Sequence, residues 1–178
     1  MLKITIPARE MFNEETQEFF TIKEHTLQLE HSLVSLSKWE AKWNVPFLSK
    51  NEKTVEQTID YIRCMTITQN IDDDVYYGLS TKNVEDINNY IQAPMTATTF
   101  RKETKKSSEV VTSELIYYWM VALNIPMECQ RWHLNRLLTL IRICNIKNTP
   151  PKKMSKRELM SRNAALNAAR RKQLNTNG

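Results

Sequence analysis

Residues 115–123 read Leu-Ile-Tyr-Tyr-Trp-Met-Val-Ala-Leu, the longest apolar run in the chain. Nine such residues make about two and a half helical turns with no polar face. A helix apolar on every side is buried centrally or buried against another subunit. The run is about half of what a membrane span requires, so the sequence points to a soluble, intracellular protein. Outward from this run, Ser107 or Ser108 is the candidate cap of a helix reaching about Asn124, and Pro126 suits the first turn of the next. From there to about Asn145, Glu128, Arg131, Asn135, Thr139, Arg142 and Asn145 step by three or four as one polar stripe. Cys129, His133, Leu137, Leu140 and Cys144 lie on the opposite side. Residues 108–145 are thus expected to form a central, mostly buried helical hairpin.

The flanks extend the helical reading. Upstream, Leu29, Leu33, Leu36 and Trp43 share a helical stripe with Trp39 alongside, closed by Pro46. Thr54 and Gln57 make a capping box before Val55, Ile59 and Ile62. Residues 72–79 read as a short helical turn, and Ser80 or Asn83 as the cap of a helix carrying Val84, Ile87 and Ile91 before Pro94. Residues 101–108 are a charged connector. At the N-terminus, 2–6 (Leu-Lys-Ile-Thr-Ile) and 18–22 (Glu-Phe-Phe-Thr-Ile) read as strands around a turn at 13–16, a small antiparallel hairpin. A lone hairpin is marginal and must lean on helices or on a neighbouring chain. Downstream of Pro150 and Pro151, Ser155 and Glu158 form a capping box for a last helix reaching about Lys172, with a thin apolar face. The expected fold is mainly α: a β-hairpin segment (1–24), a helical core (25–148) and a basic helical arm (149–178).

Composition narrows the function. The 178 residues are 41% hydrophobic and 25% charged, as in globular chains, but contain only two glycines, Gly78 and Gly178. Glycine-rich phosphate loops and nucleophile elbows are therefore excluded, and all-β folds rich in tight turns are disfavoured. Cys64, Cys129 and Cys144 are few, odd in number and unpaired in spacing, which suits reduced thiols. Charge is unevenly placed: residues 147–178 hold nine bases and one acid, whereas residues 1–146 hold sixteen bases and nineteen acids. A net −3 body thus carries a +8 tail, suited to an acidic partner.

Chemical motifs are weak. Cys129 and His133 stand at metal-ligand spacing, but Cys144 lies about four turns further on, and a buried cysteine beside a satisfied histidine explains the pair. Asp72, Asp73 and Asp74 suit a helix N-terminus as well as a cation. Trp39 and Trp43 could stack bases beside Lys38 and Lys42, although a tryptophan pair at i, i+4 is more often core or interface. With no zinc-protease, serine-hydrolase or paired-carboxylate signature, the expectation is a protein that is not an enzyme and has no metal or cofactor. Trp39, Trp43, Tyr117, Tyr118, Trp119 and Trp132 are the candidate protein-binding residues, with the tyrosine, tryptophan and methionine content favouring helix-in-groove binding. Lys152, Lys153, Lys156, Arg157, Arg162, Arg170, Arg171 and Lys172 are the candidate arm contacts.

The blocks LEHSLVSLSKWEAKW (29–43), YIRCMTITQN (61–70), WHLNRLLTLIRICNIKNTPPKKMS (132–155) and NAALNAARRK (163–172) resemble a family encoded in the tail-gene regions of long-tailed bacteriophages, the tail assembly chaperones. The resemblance covers nearly the whole chain but carries no chemical motif, so no site residue is transferred. It implies a non-enzymatic, mainly helical protein in the cytoplasm of the infected host, and the apolar hairpin at 108–145 is the candidate surface for self-association. Its partner would be the tape measure protein or another tail protein, held soluble while tube subunits polymerise around it. A structural subunit of the virion, at the head–tail junction or in the tail, is the alternative. A third reading is a nucleic-acid-binding module using the arm, limited to duplex backbone contacts because residues 147–178 contain no aromatic side chain.

Overall fold

The computed structural model describes residues 1–13, 17–100, 110–149 and 155–176. The fold is mainly α. Strands β1 (Leu2–Ile6), β2 (Arg9–Asn13), β3 (Glu18–Ile22) and β4 (His25–Leu29) come first. Helices α1 (Leu33–Trp43), α2 (Val55–Met65), α3 (Thr81–Gln92), α4 (Ser113–Ala122), α5 (Leu134–Asn148) and α6 (Lys156–Leu174) follow, with 3-10 turns at Asp73–Gly78 and Met127–Arg131. The chain divides into two units, Met1–Asn145 and Ile146–Gly178, so the hairpin is not a unit of its own and the division falls in the last turn of α5.

The N-terminal hairpin is longer than its sequence suggests. β1 pairs with β4 (Leu2↔Leu29 to Ile6↔His25), and β2 pairs with β3 (Arg9↔Ile22 to Asn13↔Glu18). Both ladders keep one register, so they are one ribbon interrupted at residues 7–8 and 23–24. Pro7 lacks an N–H and cannot donate to a ladder, which accounts for the gap. The expected pairing of 2–6 with 18–22 is therefore corrected, and the hairpin runs to Leu29 rather than ending at 24. Leu29 had the spacing of a helical stripe, but it is a buried strand residue facing Leu2. Alternation puts Ile4, Ile6, Leu27 and Leu29 on the buried face. The outer edge of β4 is covered: Glu30 N–H donates to Met65 O (2.8 Å), and Ile67 N–H donates to Gln28 O (2.8 Å).

Helix α1 is the centre of the first unit and packs against α2, α4 and the second 3-10 turn. Ser32 caps it by accepting from Ser35 N–H, and Asn44 closes it in the left-handed conformation. Its Trp39 enters a core made with the hairpin, α2, the first 3-10 turn and α3. Its Leu33 and Leu36 enter a second core with Ile116 and Met120 of α4 and Leu134, Leu137 and Ile141 of α5. The expected central pair at 108–145 thus supplies one wall of one core. Glu40, on the same helix, joins the pieces: it is buried, and its carboxylate accepts from Phe47 N–H (2.8 Å) and from Ser113 N–H (2.7 Å) at the start of α4.

Several helix limits differ from the sequence reading. Helix α4 starts at Ser113, capped by Thr112, not by Ser107 or Ser108, which lie outside the described residues together with the whole 101–108 connector. The segment 126–145 is not one helix. A 3-10 turn covers Met127–Arg131, Trp132 is extended (φ −70°, ψ 160°), and α5 starts at Leu134. The break is held by a β-bridge between Ser32 and His133 and by Leu134 N–H donating to His31 O (2.7 Å). Capping boxes form at Thr54–Gln57, Ser80–Asn83 and Ser155–Glu158. In the second unit, α6 ends on Asn175 (φ 52°), and none of its side chains is buried.

Candidate protein-binding surface

The six aromatic candidates do not converge on one patch. Trp39 is fully buried: its indole N–H donates to Gln57 O (2.8 Å) and its ring packs edge-on against Phe47 at 5.1 Å. It is core and presents nothing to a partner, which corrects its place among the binding candidates. Trp43 is half-buried beside the same core, its N–H donating to Asp60 Oδ2 (2.9 Å), where Lys42 also pairs. With Trp39 fully buried, the two rings do not present a joint stacking face. Trp119 and Trp132 are half-buried against the second core, and the Arg136 guanidinium lies 4.2 Å over the Trp132 ring. Tyr117 is half-buried and its hydroxyl bonds Gln130 Oε1 (2.9 Å).

Helix α4 provides the exposed surface. Ser113, Ile116 and Met120 are its buried line. Glu114, Tyr118, Val121 and Ala122 recur at i, i+4, i+7 and i+8, hence on one face, and all are exposed. Tyr118 is 65% and Val121 67% accessible. An apolar run without a polar face therefore becomes a helix with an apolar outer face.

A second surface was not anticipated from sequence. Val55, Ile59 and Ile62 of α2 and Val84, Ile87 and Ile91 of α3 line two adjoining hollows of about 370 and 190 Å³, which share Lys53, Thr58, Ile62 and Val84. Together they make one groove, with Tyr77 and Leu79 at one end and Phe47 at the other. Both helical stripes read as core-facing, and for Ile62 and Ile87 this holds. Val55 is 77% exposed, however, and the stripes are wider than the core they cover. The available signal was Val55 alone, an apolar residue at the first position of α2 ahead of the polar Glu56, Gln57 and Thr58.

Titratable groups cluster between the two cores. The rings of His31 and His133 stand edge to face at 5.1 Å, both buried. His31 Nδ1 lies 2.6 Å from the Tyr61 hydroxyl. His133 Nε2–H donates to Tyr90 O (3.0 Å), while its Nδ1 accepts from Asn135 N–H (3.3 Å), which fixes a neutral tautomer. The Tyr90 hydroxyl donates to Glu30 Oε1 (2.5 Å). Burial, reinforced by the neighbouring His133, pushes His31 down to about 4, and burial lowers His133 as well. These polar atoms are bonded to one another, an arrangement that ties the β4–α1 junction, α2, α3 and the segment before α5 together. Cys129 sits in the 3-10 turn and His133 beyond its end, so they are not at i, i+4 on one helix. Asp73 pairs with Arg63 (3.3 Å), and among the described residues no three His, Cys, Asp or Glu side chains converge as a metal site.

Of the arm candidates, Lys152 and Lys153 lie outside the described residues. Lys156, Arg157, Arg162, Arg170, Arg171 and Lys172 lie on α6 and are exposed. At about 100° per residue they surround the helix instead of forming a stripe. Among the described residues no helix is long and apolar enough to cross a membrane. No family model matches the chain, and neither does any curated protein or solved structure.

Proposed function

We propose that this chain is a non-enzymatic tail assembly chaperone of a long-tailed bacteriophage, which grips the tape measure protein in the host cytoplasm before tube subunits enclose it. The observation that carries the reading is the outer face of α4, where Tyr118 and Val121 stand exposed on a helix whose opposite side is core. Apolar side chains left outward on a rigid helix suit a client that is itself helical and apolar. The resemblance of the quoted sequence blocks to the tail assembly chaperones is what suggests the client. The all-round basic α6 suits acidic stretches of the client or of a neighbouring copy, since a partner can approach it from any side.

Co-expression tests the proposal. The tape measure protein is expected in the soluble fraction, co-purifying with this chain, when both are made. With Tyr118→Asp and Val121→Asp combined, it is expected in the pellet. Both positions are exposed, so each change should alter stability by no more than about 0.5 kcal/mol. A client that stays insoluble beside the wild-type chain, with no co-purification, rejects the reading.

A further inference from the structure

The α2–α3 groove carries a positive charge with no ion-pair partner among the described residues. Lys53 lies on its wall, with Nζ 4.5 Å from the centre of the Phe47 ring. Burial lowers its pKa, so the ammonium has lost part of its hydration. No carboxylate of the described chain pairs with it: the ion pairs present are those of Glu30, Asp60 and Asp73, and the near neighbours Glu52 and Glu56 are exposed and turned to solvent. A partly buried cation over an aromatic ring, with no carboxylate of the described residues paired to it, keeps its ammonium free to meet an incoming anion.

We infer that this groove is a docking site for an amphipathic helix of another protein that carries a carboxylate on its apolar face, the carboxylate meeting Lys53 and the apolar side chains lying between α2 and α3. The helical form follows from the walls. The groove is lined by side chains of two helices whose main-chain groups are bonded internally, so its floor offers no ladder of backbone partners. A strand would leave its own N–H and C=O groups unmet there, whereas a helix satisfies them itself. The eleven residues of α2 span about 16 Å, which fits anchors at i, i+4 and i+7 of the occupant. The inference rests on the client-binding reading in that the client is the natural source of such a helix; the groove's preference is nevertheless testable without it.

The probe is a fluorescent 18-residue Leu/Ala-rich synthetic helix with one glutamate on its apolar face, together with its glutamine and lysine counterparts. Anisotropy titration of the full chain is expected to show the glutamate helix binding about tenfold more tightly than the glutamine helix, and the lysine helix weakest. Lys53→Glu should reverse the order of the charged helices, and Val55→Asp should weaken all three. Both changes are at accessible positions, and circular dichroism verifies that the fold persists. Equal affinity for all three helices, no binding, or an order unaltered by Lys53→Glu overturns the docking site. If the wild-type chain rescues the client and Lys53→Glu with Val55→Asp still does so, the groove fails while the chaperone reading stands. If the peptides discriminate but the client is never rescued, the chaperone reading fails instead.

Discussion

At the scale of single residues, the buried histidines set a pH dependence. His31 has a folded value of about 4 against an unfolded value near 6.5, and His133 is shifted in the same direction. A depressed folded pKa means that the unfolded chain binds the extra proton first. The contribution is therefore intact above about pH 6.5 and is lost as pH falls towards 4. For His31 the loss approaches roughly 3 kcal/mol at the acid end. Urea midpoints should fall between pH 7.5 and pH 5, and identical midpoints across that window contradict the neutral pair. Gly78 makes a second case. A Cβ there would come within 2.9 Å of Ile6 Cγ2 and 3.2 Å of Ile22 Cδ1, methyl groups of packed β-branched side chains that cannot simply swing away. Gly78→Ala should cost about 1–3 kcal/mol in chemical denaturation, and an unchanged midpoint would show that the 3-10 turn is not seated against the two halves of the hairpin.

At the scale of elements, Glu40 joins α1, the loop at Phe47 and the N-terminus of α4 through two backbone N–H groups, that of Ser113 buried and that of Phe47 partly so. Glu40→Leu keeps the volume and strands both donors, each costing about 1–3 kcal/mol, so a drop of about 2–6 kcal/mol in unfolding free energy is expected. A drop below 1 kcal/mol would mean that α4 is held by its apolar face alone. This joint also shows where the sequence was readable. The capping boxes at Thr54 and Ser155 were legible because a cap is a local bond between residues three apart, whereas at α3 the sequence left Ser80 and Asn83 as alternative caps and the two form one box. The partner of β1 was not, because Leu27 and Leu29 alternate like a strand while Leu29, Leu33 and Leu36 also step like a helix; long-range pairing decides between them. The break at Trp132–His133 was hidden for the same reason, since its bonds are to Ser32 and His31, a hundred residues away in sequence. Among the candidate surface residues, Tyr118 was identifiable as apolar but not as outward-facing. Trp39 and Tyr118 differ in burial through the packing of α1 between two cores, which no local pattern encodes.

At the scale of the whole molecule, the protein is a mildly acidic, two-core helical body with apolar surfaces on α4 and between α2 and α3, continued by a segment whose bases outnumber its acids nine to one. Removing residues 149–178, which contain eight of those bases, should abolish any strongly salt-dependent affinity for acidic surfaces while leaving the apolar contacts on α4. Salt titration of client binding by the two forms checks this; equal salt dependence would show that the arm makes no electrostatic contact. The central claim is that the outer face of α4 holds another polypeptide. The most direct measurement is hydroxyl-radical footprinting of this chain alone and with the co-purified tape measure protein. Labelling of Tyr118 should drop severalfold in the complex, while that of the exposed Phe19 at the hairpin serves as the internal reference. A complex in which Tyr118 is labelled as fully as in the free chain would contradict the account.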